Sequence, residues 1–237
     1  MLPVPDASIS RWGGLSTLCR VYLGLVVFAL AGSLFSRLSH LDPGVIAPCA
    51  ALLTLAVGLA TVVRAYREFP RAWLAILGVL AVGLVAEVAG VRTGHPFGRY
   101  VYTEAWWPTV SLGGGLRFPL QVPFAWGLVV LAAFALASRW VPRWPAAVMG
   151  GLIAAGVDVL MEPVMTRVLG YWTWLQPGSL PGGVPLENFI GWWLTATLGG
   201  FALLGSVGAK KIDSREPVWV LAGHVAMTLG IGAISLI

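Results

Sequence analysis

Two carboxylates inside a segment apolar enough to span a membrane are the clearest candidates for chemistry in this sequence. Asp158 and Glu162 lie four residues apart, so on a helix both project from one face. Two carboxyl groups this close in a dry environment cannot both ionise cheaply, so one is expected to hold a proton near neutral pH. Such a pair supplies an acid and a base at one place. The non-catalytic alternative is that Glu162 reaches the membrane interface and Asp158 pairs with an arginine, such as Arg167 or Arg92.

Glu87 and Glu187 are the other acidic catalytic candidates. Glu87 lies about one turn before Arg92, and an interfacial Glu–Arg pair would explain it equally well. Glu187 begins an apolar segment, where the helix dipole favours a carboxylate that caps amide groups of the first turn. Asn188 adds a donor and an acceptor at the same place. An ionisable residue inside a span costs about 2.5–3.5 kcal/mol at mid-helix and therefore indicates a functional site by default.

Aromatic side chains accompany these acids. The chain has 12 tryptophans, and seven of them lie in the two segments 98–126 and 170–193. A belt at both membrane interfaces accounts for some of them, but the excess in these segments predicts a cavity lined by aromatic rings. Aromatic faces stabilise carbocations and stack along flat conjugated chains. The substrate-binding candidates are Tyr100, Tyr102, Trp126, Tyr171, Trp172, Trp174 and Trp192, with Asn188, Arg92, Arg99 and His95, the last as a proton shuttle in a polar turn.

The two aromatic segments resemble each other. Residues 98–100 and 119–121 of the first correspond to residues 170–172 and 185–187 of the second. In each case an acidic residue and then an arginine precede the segment in the chain. We interpret the segments as the loops of two helix hairpins that have the same orientation and fold toward a common centre.

The composition indicates the class of protein that must position these residues. Of the 237 residues, 58% are hydrophobic and 11% charged, whereas about a quarter of the residues in soluble domains are charged. We predict an all-α integral membrane protein with about seven spanning helices, a single polytopic domain over residues 1–237 whose helices 3–4 and 5–6 form the two hairpins. Six or eight spans follow if a loop is re-entrant. The predicted spans are residues 21–35, 44–63, 72–91, 119–138, 146–160, 189–207 and 218–237.

The distribution of positive charge predicts an orientation in the cell membrane. Ten Lys and Arg residues fall on one side of the predicted spans and five on the other, so the N-terminus is expected in the cytoplasm and the aromatic loops on the opposite side. The ten are Arg11, Arg20, Arg64, Arg67, Arg71, Arg139, Arg143, Lys210, Lys211 and Arg215, and the five are Arg37, Arg92, Arg99, Arg117 and Arg167.

Several functions lack their sequence signatures. The net charge of +5 is scattered, which argues against binding of nucleic acid. Two cysteines and three histidines provide neither a disulfide framework nor zinc-ligand spacing, and GxSxG, HExxH, P-loop and GxGxxG motifs are absent. The last span has no lysine for a retinal Schiff base. We predict no metal site and no cofactor.

At these residues the sequence resembles the membrane-bound carotenoid biosynthesis family that contains the carotenoid 1,2-hydratases, also named γ-carotene or bisanhydrobacterioruberin hydratases. The resemblance covers about residues 87–193, whereas the flanking helices match in hydropathy alone. The motifs that carry it are residues 94–103, 119–126, 158–163, 170–174 and 183–192. Two positions depart from the family pattern. Family members usually have an aspartate at the position of Glu162 and a residue that is not acidic at the position of Glu187.

The resemblance implies addition of water to the C1–C2 double bond of an acyclic ψ end group, in a carotenoid such as lycopene or γ-carotene, without a redox cofactor. Asp158 and Glu162 would form the acid–base pair that protonates C2 and lets water capture the cation at C1. Aromatic walls would stabilise that cation. Glu87 or Glu187 would orient the water.

In the same scheme, Arg92 and Arg99 would tune the acidity of the two carboxyl groups.

Two other functions remain open at this point. The string Pro185-x-Glu187-x-Phe189 also resembles the Pro-x-Glu motif of the small-subunit lycopene cyclases, which begin with the same protonation but capture the cation with a neighbouring double bond. A proton-coupled transporter of lipids or small molecules would also place acids within its spans. A hydratase needs a pocket that holds water near the acids, a cyclase needs a dry pocket, and a transporter needs a path to both faces.

Overall fold

The computed structural model describes residues 14–237, and this part of the chain contains seven α-helices. Arg11, part of the predicted cytoplasmic charge, lies outside the described residues. Six of the helices are long and apolar enough to cross a membrane, so the predicted class, a helical multi-pass membrane protein, is confirmed. The helices are α1 (Thr17–Ser39), α2 (Ile46–Arg64), α3 (Ala72–Thr93), α4 (Val122–Ala137), α5 (Trp144–Arg167), α6 (Leu186–Val207) and α7 (Glu216–Ile234).

Two helices differ from the predicted spans. α4 has 16 residues rather than the predicted 119–138, because the chain before it forms a strand. Its residues are buried almost all round, as expected for a helix that is apolar on every side and packed at the centre of a bundle. α5 continues through Pro163 to Arg167, past the predicted end at residue 160. A proline inside a helix removes a single backbone hydrogen bond, and the neighbouring elements hold this helix together.

Short strands connect the two long loops, a feature that the sequence analysis did not predict. β2 (Thr109–Gly113) and β3 (Leu116–Pro119) form a hairpin within the first loop. β1 (Tyr100–Tyr102) pairs in antiparallel fashion with β4 (Trp172–Trp174), with Val101 opposite Thr173 at the centre of the ladder. The aromatic segment of each loop therefore hydrogen-bonds directly to that of the other.

The two predicted hairpins are present, and they make corresponding contacts with each other. We call α3, β1 and α4 (72–137) the first half and α5, β4 and α6 (144–207) the second half. α3 packs against α6 as α5 packs against α4, so the first helix of each half packs against the second helix of the other. α1, α2 and α7 pack beside this four-helix unit, with α7 in contact with α1, α4 and α5.

Candidate active site

Glu87 of α3 is buried and accepts three hydrogen bonds from aromatic side chains. The hydroxyls of Tyr100 and Tyr102 donate to Oε2 at 2.6 and 2.8 Å, and Nε1 of Trp126 donates to Oε1 at 2.8 Å. Two donors come from β1 and one from α4, so the first half supplies all three. Aromatic donors, rather than the arginine that the sequence suggested, stabilise this carboxylate.

Glu162 of α5 is surrounded in the same way by the second half. Nε1 of Trp172 and Nε1 of Trp174 donate to its Oε2 at 3.2 and 3.1 Å, and Nδ2 of Asn188 donates to Oε1 at 3.2 Å. Two donors again come from the loop strand and one from the following helix. The two glutamates therefore occupy corresponding positions in the two halves.

Asp158 lies one turn before Glu162 and shares a hydrogen-bond donor with it. Nδ2 of Asn188 donates to Oδ2 of Asp158 at 2.6 Å as well as to Glu162. Asp158 is 5% exposed and Glu162 1% exposed. Within residues 14–237 neither carboxylate forms an ion pair with an arginine, in contrast to the non-catalytic alternative. Two carboxyl groups bound to one amide can hold and exchange a proton between them.

The tyrosines of β1 remain donors because their environment opposes ionisation. Burial, followed by the nearby Glu87 carboxylate, raises the pKa of Tyr100 and of Tyr102 well above the ordinary value for a phenol. Burial also raises the pKa of Tyr171 to about 12. The ring of Tyr171 stacks on Trp106 with centroids 5.1 Å apart, so the loops bring rings of both halves into contact.

A second stack joins the two halves below the strands. The rings of Trp126 and Trp192 lie parallel, with their centroids 3.9 Å apart and an interplanar angle of 2°. Phe97 packs against both rings. Trp126 is held by its hydrogen bond to Glu87, and its partner Trp192 lines a large cavity. Trp126 of the first half therefore packs behind Trp192 of the second half, whose ring lines the cavity.

The large cavity has a volume of about 870 Å³ and contains Asp158 and Glu162 in its wall. It extends from the middle of α5 and α7 to the connection between α1 and α2, and α4 forms another part of the wall. Trp106, Trp172 and Trp192 contribute aromatic surface, α1 adds Phe28 and Phe35 beside polar residues, and α2 and α7 contribute mainly aliphatic side chains. An apolar cavity with a few convergent polar groups is the usual form of a site for a small apolar ligand.

A smaller cavity of about 50 Å³ lies among the acids themselves. Its wall includes all three carboxylates, Glu87, Asp158 and Glu162, together with Asn188. Such a volume is large enough for water, and these side chains provide the polar partners that an enclosed water needs.

Four of the predicted site residues lie away from this cluster. Arg92, His95, Arg99 and Glu187 are exposed, and Nε2 of Gln176 is hydrogen-bonded to Glu187 at 3.5 Å. The structure brings together the other predicted residues, which are Glu87, Tyr100, Tyr102, Trp126, Asp158, Glu162, Tyr171, Trp172, Trp174, Asn188 and Trp192. Among the described residues, no group of three His, Cys, Asp or Glu side chains could hold a metal ion.

The cavity wall also contains Trp106, Gln121 and His224, which the sequence analysis did not select as site residues. Gln121 is fully buried, and its Nε2 donates to the carbonyl of Trp107 at 2.5 Å. The internal repeat could have indicated it, since Gln121 corresponds to Glu187. His224 is the ionisable residue of the last predicted span, which is itself a signal.

Comparison with known proteins gives a family and a distant relative. The model of a family described as "Carotenoid biosynthesis protein" matches residues 48–237. A bisanhydrobacterioruberin hydratase from Haloarcula japonica is 28% identical over an alignment of 177 residues, and the alignment covers 70% of this chain and 57% of the relative. The chain thus matches a little over half the length of that curated protein. No solved structure matches the chain.

Proposed function

Because this chain belongs to the carotenoid biosynthesis protein family, we propose that it is a cofactor-independent carotenoid hydratase. The reaction adds water across the C1–C2 double bond of an acyclic ψ end group and gives a tertiary alcohol. The observation that carries this proposal is the pair Asp158 and Glu162, joined by Asn188 in the wall of an apolar cavity. The hydratase from Haloarcula japonica supports it as a distant relative.

The large cavity would hold the end of the polyene that reacts. Along α5 its wall runs from Asp158 past Met165, and it continues to Leu169 just after the helix. At 1.5 Å per residue, the distance from Asp158 to Leu169 is roughly 16 Å. This length accommodates an end group and the first conjugated double bonds. Trp172 and Trp192 offer flat faces against which a conjugated chain can stack.

Asp158 is the better placed of the two carboxyl groups to deliver the proton. Within the described part of the chain, Glu162 accepts three side-chain hydrogen bonds and Asp158 one. Because hydrogen bonds to a carboxylate favour its charged form, the negative charge belongs on Glu162 and the proton on Asp158. The π electrons of the C1–C2 bond form the new C2–H bond with this proton, which leaves a tertiary cation at C1.

Water from the small cavity would complete the reaction. Its oxygen forms the bond to C1, and its surplus proton passes to Glu162 and then to Asp158, which restores the starting state. The overall balance is alkene plus water to alcohol, so no electron donor or acceptor is required. Glu87 borders the same small cavity and would orient the water. The carboxylates and aromatic faces would stabilise the cation in a site of low dielectric constant.

The two alternatives receive less support from the geometry. The resemblance to lycopene cyclases depends on Glu187, which is exposed, and the polar cavity at the acids favours water over a double bond as the group that captures the cation. A transporter needs a path to both faces, whereas the wall of the large cavity extends from mid-membrane toward one end of the bundle.

Pigment analysis of a lycopene-producing host that expresses the full chain tests the proposal. We expect a new carotenoid that is heavier than lycopene by one water, about 18 mass units, and that disappears when Asp158→Asn replaces the parent chain. With purified protein in D2O, the alcohol should carry one deuterium at C2. A product of unchanged mass would establish the cyclase instead, and the absence of a new pigment with lycopene and with γ-carotene would overturn the proposal.

The charge distribution further supports a location in the cell membrane with the aromatic loops on the side opposite the cytoplasm. A reporter enzyme that works outside the cytoplasm should be active when fused after Ile237, and a reporter that works in the cytoplasm should be inactive at the same position.

A further inference from the structure

His224 is a buried polar group that the proposed reaction does not use. It lies on α7, is 4% exposed, and lines the same cavity as Asp158 and Glu162. Its Nδ1 has no hydrogen-bond partner among the described residues. An unpaired buried polar atom costs free energy, typically about 1–3 kcal/mol, so an imidazole retained in an apolar wall requires an explanation.

The contacts of α7 place His224 at the depth of the acids. Thr228, one turn further along α7, has its Oγ1 3.7 Å from the sulfur of Met161, the residue before Glu162. α5 and α7 run in the same direction, so His224 lies one turn deeper, at about the level of Asp158. The imidazole and the two carboxyl groups therefore face the inner end of one cavity from different helices.

The two buried threonines of this wall already have partners. The hydroxyl of Thr54 donates to the carbonyl of Ala50 at 2.7 Å, and that of Thr228 to the carbonyl of His224 at 3.1 Å. Gln121 also has an unpaired atom, Oε1, but its amide nitrogen holds it at the carbonyl of Trp107 beside the loop. At the depth of the acids the unpaired group is His224.

We propose that His224 binds the hydroxyl group of a hydrated end group, so that the cavity selects acyclic carotenoids that carry a tertiary alcohol at C1. The inference rests on the proposed function, because hydration creates this hydroxyl in an otherwise apolar place. A hydroxyl group enters such a place at a high cost unless it is hydrogen-bonded. A neutral imidazole both donates and accepts, and it can pair with an O–H group in either sense.

The test compares the binding of two ligands that differ in a single hydroxyl. The full chain, purified in an Asp158→Asn background so that neither ligand reacts, is titrated with lycopene and with its C1-hydroxylated derivative. Quenching of tryptophan fluorescence reports binding. We expect His224→Leu to lower the ratio of alcohol affinity to hydrocarbon affinity about tenfold, the usual effect of one buried hydrogen bond. His224→Gln, which still forms hydrogen bonds, should retain most of the ratio.

Thr61→Val provides the control, since Thr61 is buried on α2 away from the cavity wall and should leave the ratio unchanged. His224→Phe keeps the ring shape without the nitrogens and replaces the leucine variant where that one does not fold. An unchanged ratio in both apolar variants, or equal weakening of both ligands, would overturn the role of His224 and leave the hydratase proposal standing. Failure of the parent protein to bind either ligand would overturn both.

Discussion

The two halves of the molecule contain the same arrangement of donors around a buried glutamate, but a second carboxylate accompanies that glutamate in the second half. In each half two aromatic side chains of the loop strand donate to one carboxylate oxygen, and a side chain of the following helix donates to the other. Four residues before Glu162 stands Asp158, and four residues before Glu87 stands Gly83. The second carboxylate therefore exists in one half alone.

The packing explains why the first half has a glycine at this position. A Cβ atom on Gly83 would lie 3.1 Å from the ring of Trp126, so an aspartate there would require Trp126 to shift. Trp126 instead fills the place and donates to Glu87. In the second half Asn188 is the donor, and the ring of Trp192 lies against the cavity. If the proposed function is right, the first half serves as support and the second half carries the chemistry.

Removal of the second carboxyl group should have the largest effect. Asp158→Asn is expected to lower the hydration rate about 10²–10⁴-fold, the usual contribution of a general acid, and Glu162→Gln should cause a loss of similar size. The rate is measured as alcohol formed per unit of purified protein. Glu187→Gln, which alters an exposed acid of the same half, should remain within about twofold of the parent. A normal rate in Asp158→Asn would contradict the assignment.

Glu87→Gln should affect stability more than activity. Three donors lose a charged acceptor, and hydrogen bonds to charged groups contribute about 1.5–3 kcal/mol each, so we expect a loss of roughly 2–4 kcal/mol in the free energy of unfolding. The hydration rate should fall about tenfold, less than in Asp158→Asn. Thermal unfolding followed by tryptophan fluorescence, together with the pigment assay, measures both. If Asp158→Asn proved less stable than Glu87→Gln, the assignment of a supporting role to the first half and a catalytic role to the second would be wrong.

Gly83→Ala tests the close contact between Gly83 and Trp126. The added methyl group must displace Trp126, which would disturb its stack on Trp192 and cost about 1–3 kcal/mol of stability. Gly156 of α5 has nothing within 4 Å of an added Cβ, so Gly156→Ala is the matched control and should be neutral or stabilising by about 0.5–1 kcal/mol. Equal unfolding temperatures for the two variants would show that Trp126 moves freely.

The smallest expected effect concerns Tyr171, which corresponds to the exposed Arg99 of the first half. Its pKa is raised by burial to about 12, whereas that of an unfolded chain is about 10. The folded state therefore keeps the proton to a higher pH than the unfolded state. The stability due to this group is present below pH 10 and decreases as the pH rises from about 10 to 12.

Tyr171→Phe should keep the stack on Trp106 and change the hydration rate less than about threefold. The absorbance at 295 nm should differ from that of the parent only near pH 12; a difference at pH 10 would mean an exposed phenol.

Most of the side chains that the structure brings together around the acids could be selected from the sequence, because they are unusual for a membrane span. Asp158, Glu162 and Glu87 stand out as charges that lipid would not tolerate, and the repeated aromatic segments predicted that two hairpins meet. The helices could also be predicted from the sequence, since hydropathy over about 20 residues decides whether a segment spans a membrane. The internal repeat even placed Trp126 and Trp192 at corresponding positions.

Tertiary structure alone decided which side chains face inward and what they bind. Glu187 and Gln121 occupy corresponding positions, yet Glu187 is exposed and Gln121 is buried, because α4 is enclosed on all sides while α6 has an outer face. The pairing of β1 with β4 and the use of aromatic donors in place of arginines follow from contacts between distant segments, which no local pattern encodes. Hydropathy and charge act through local composition, whereas burial and hydrogen bonding depend on the neighbours that folding brings together.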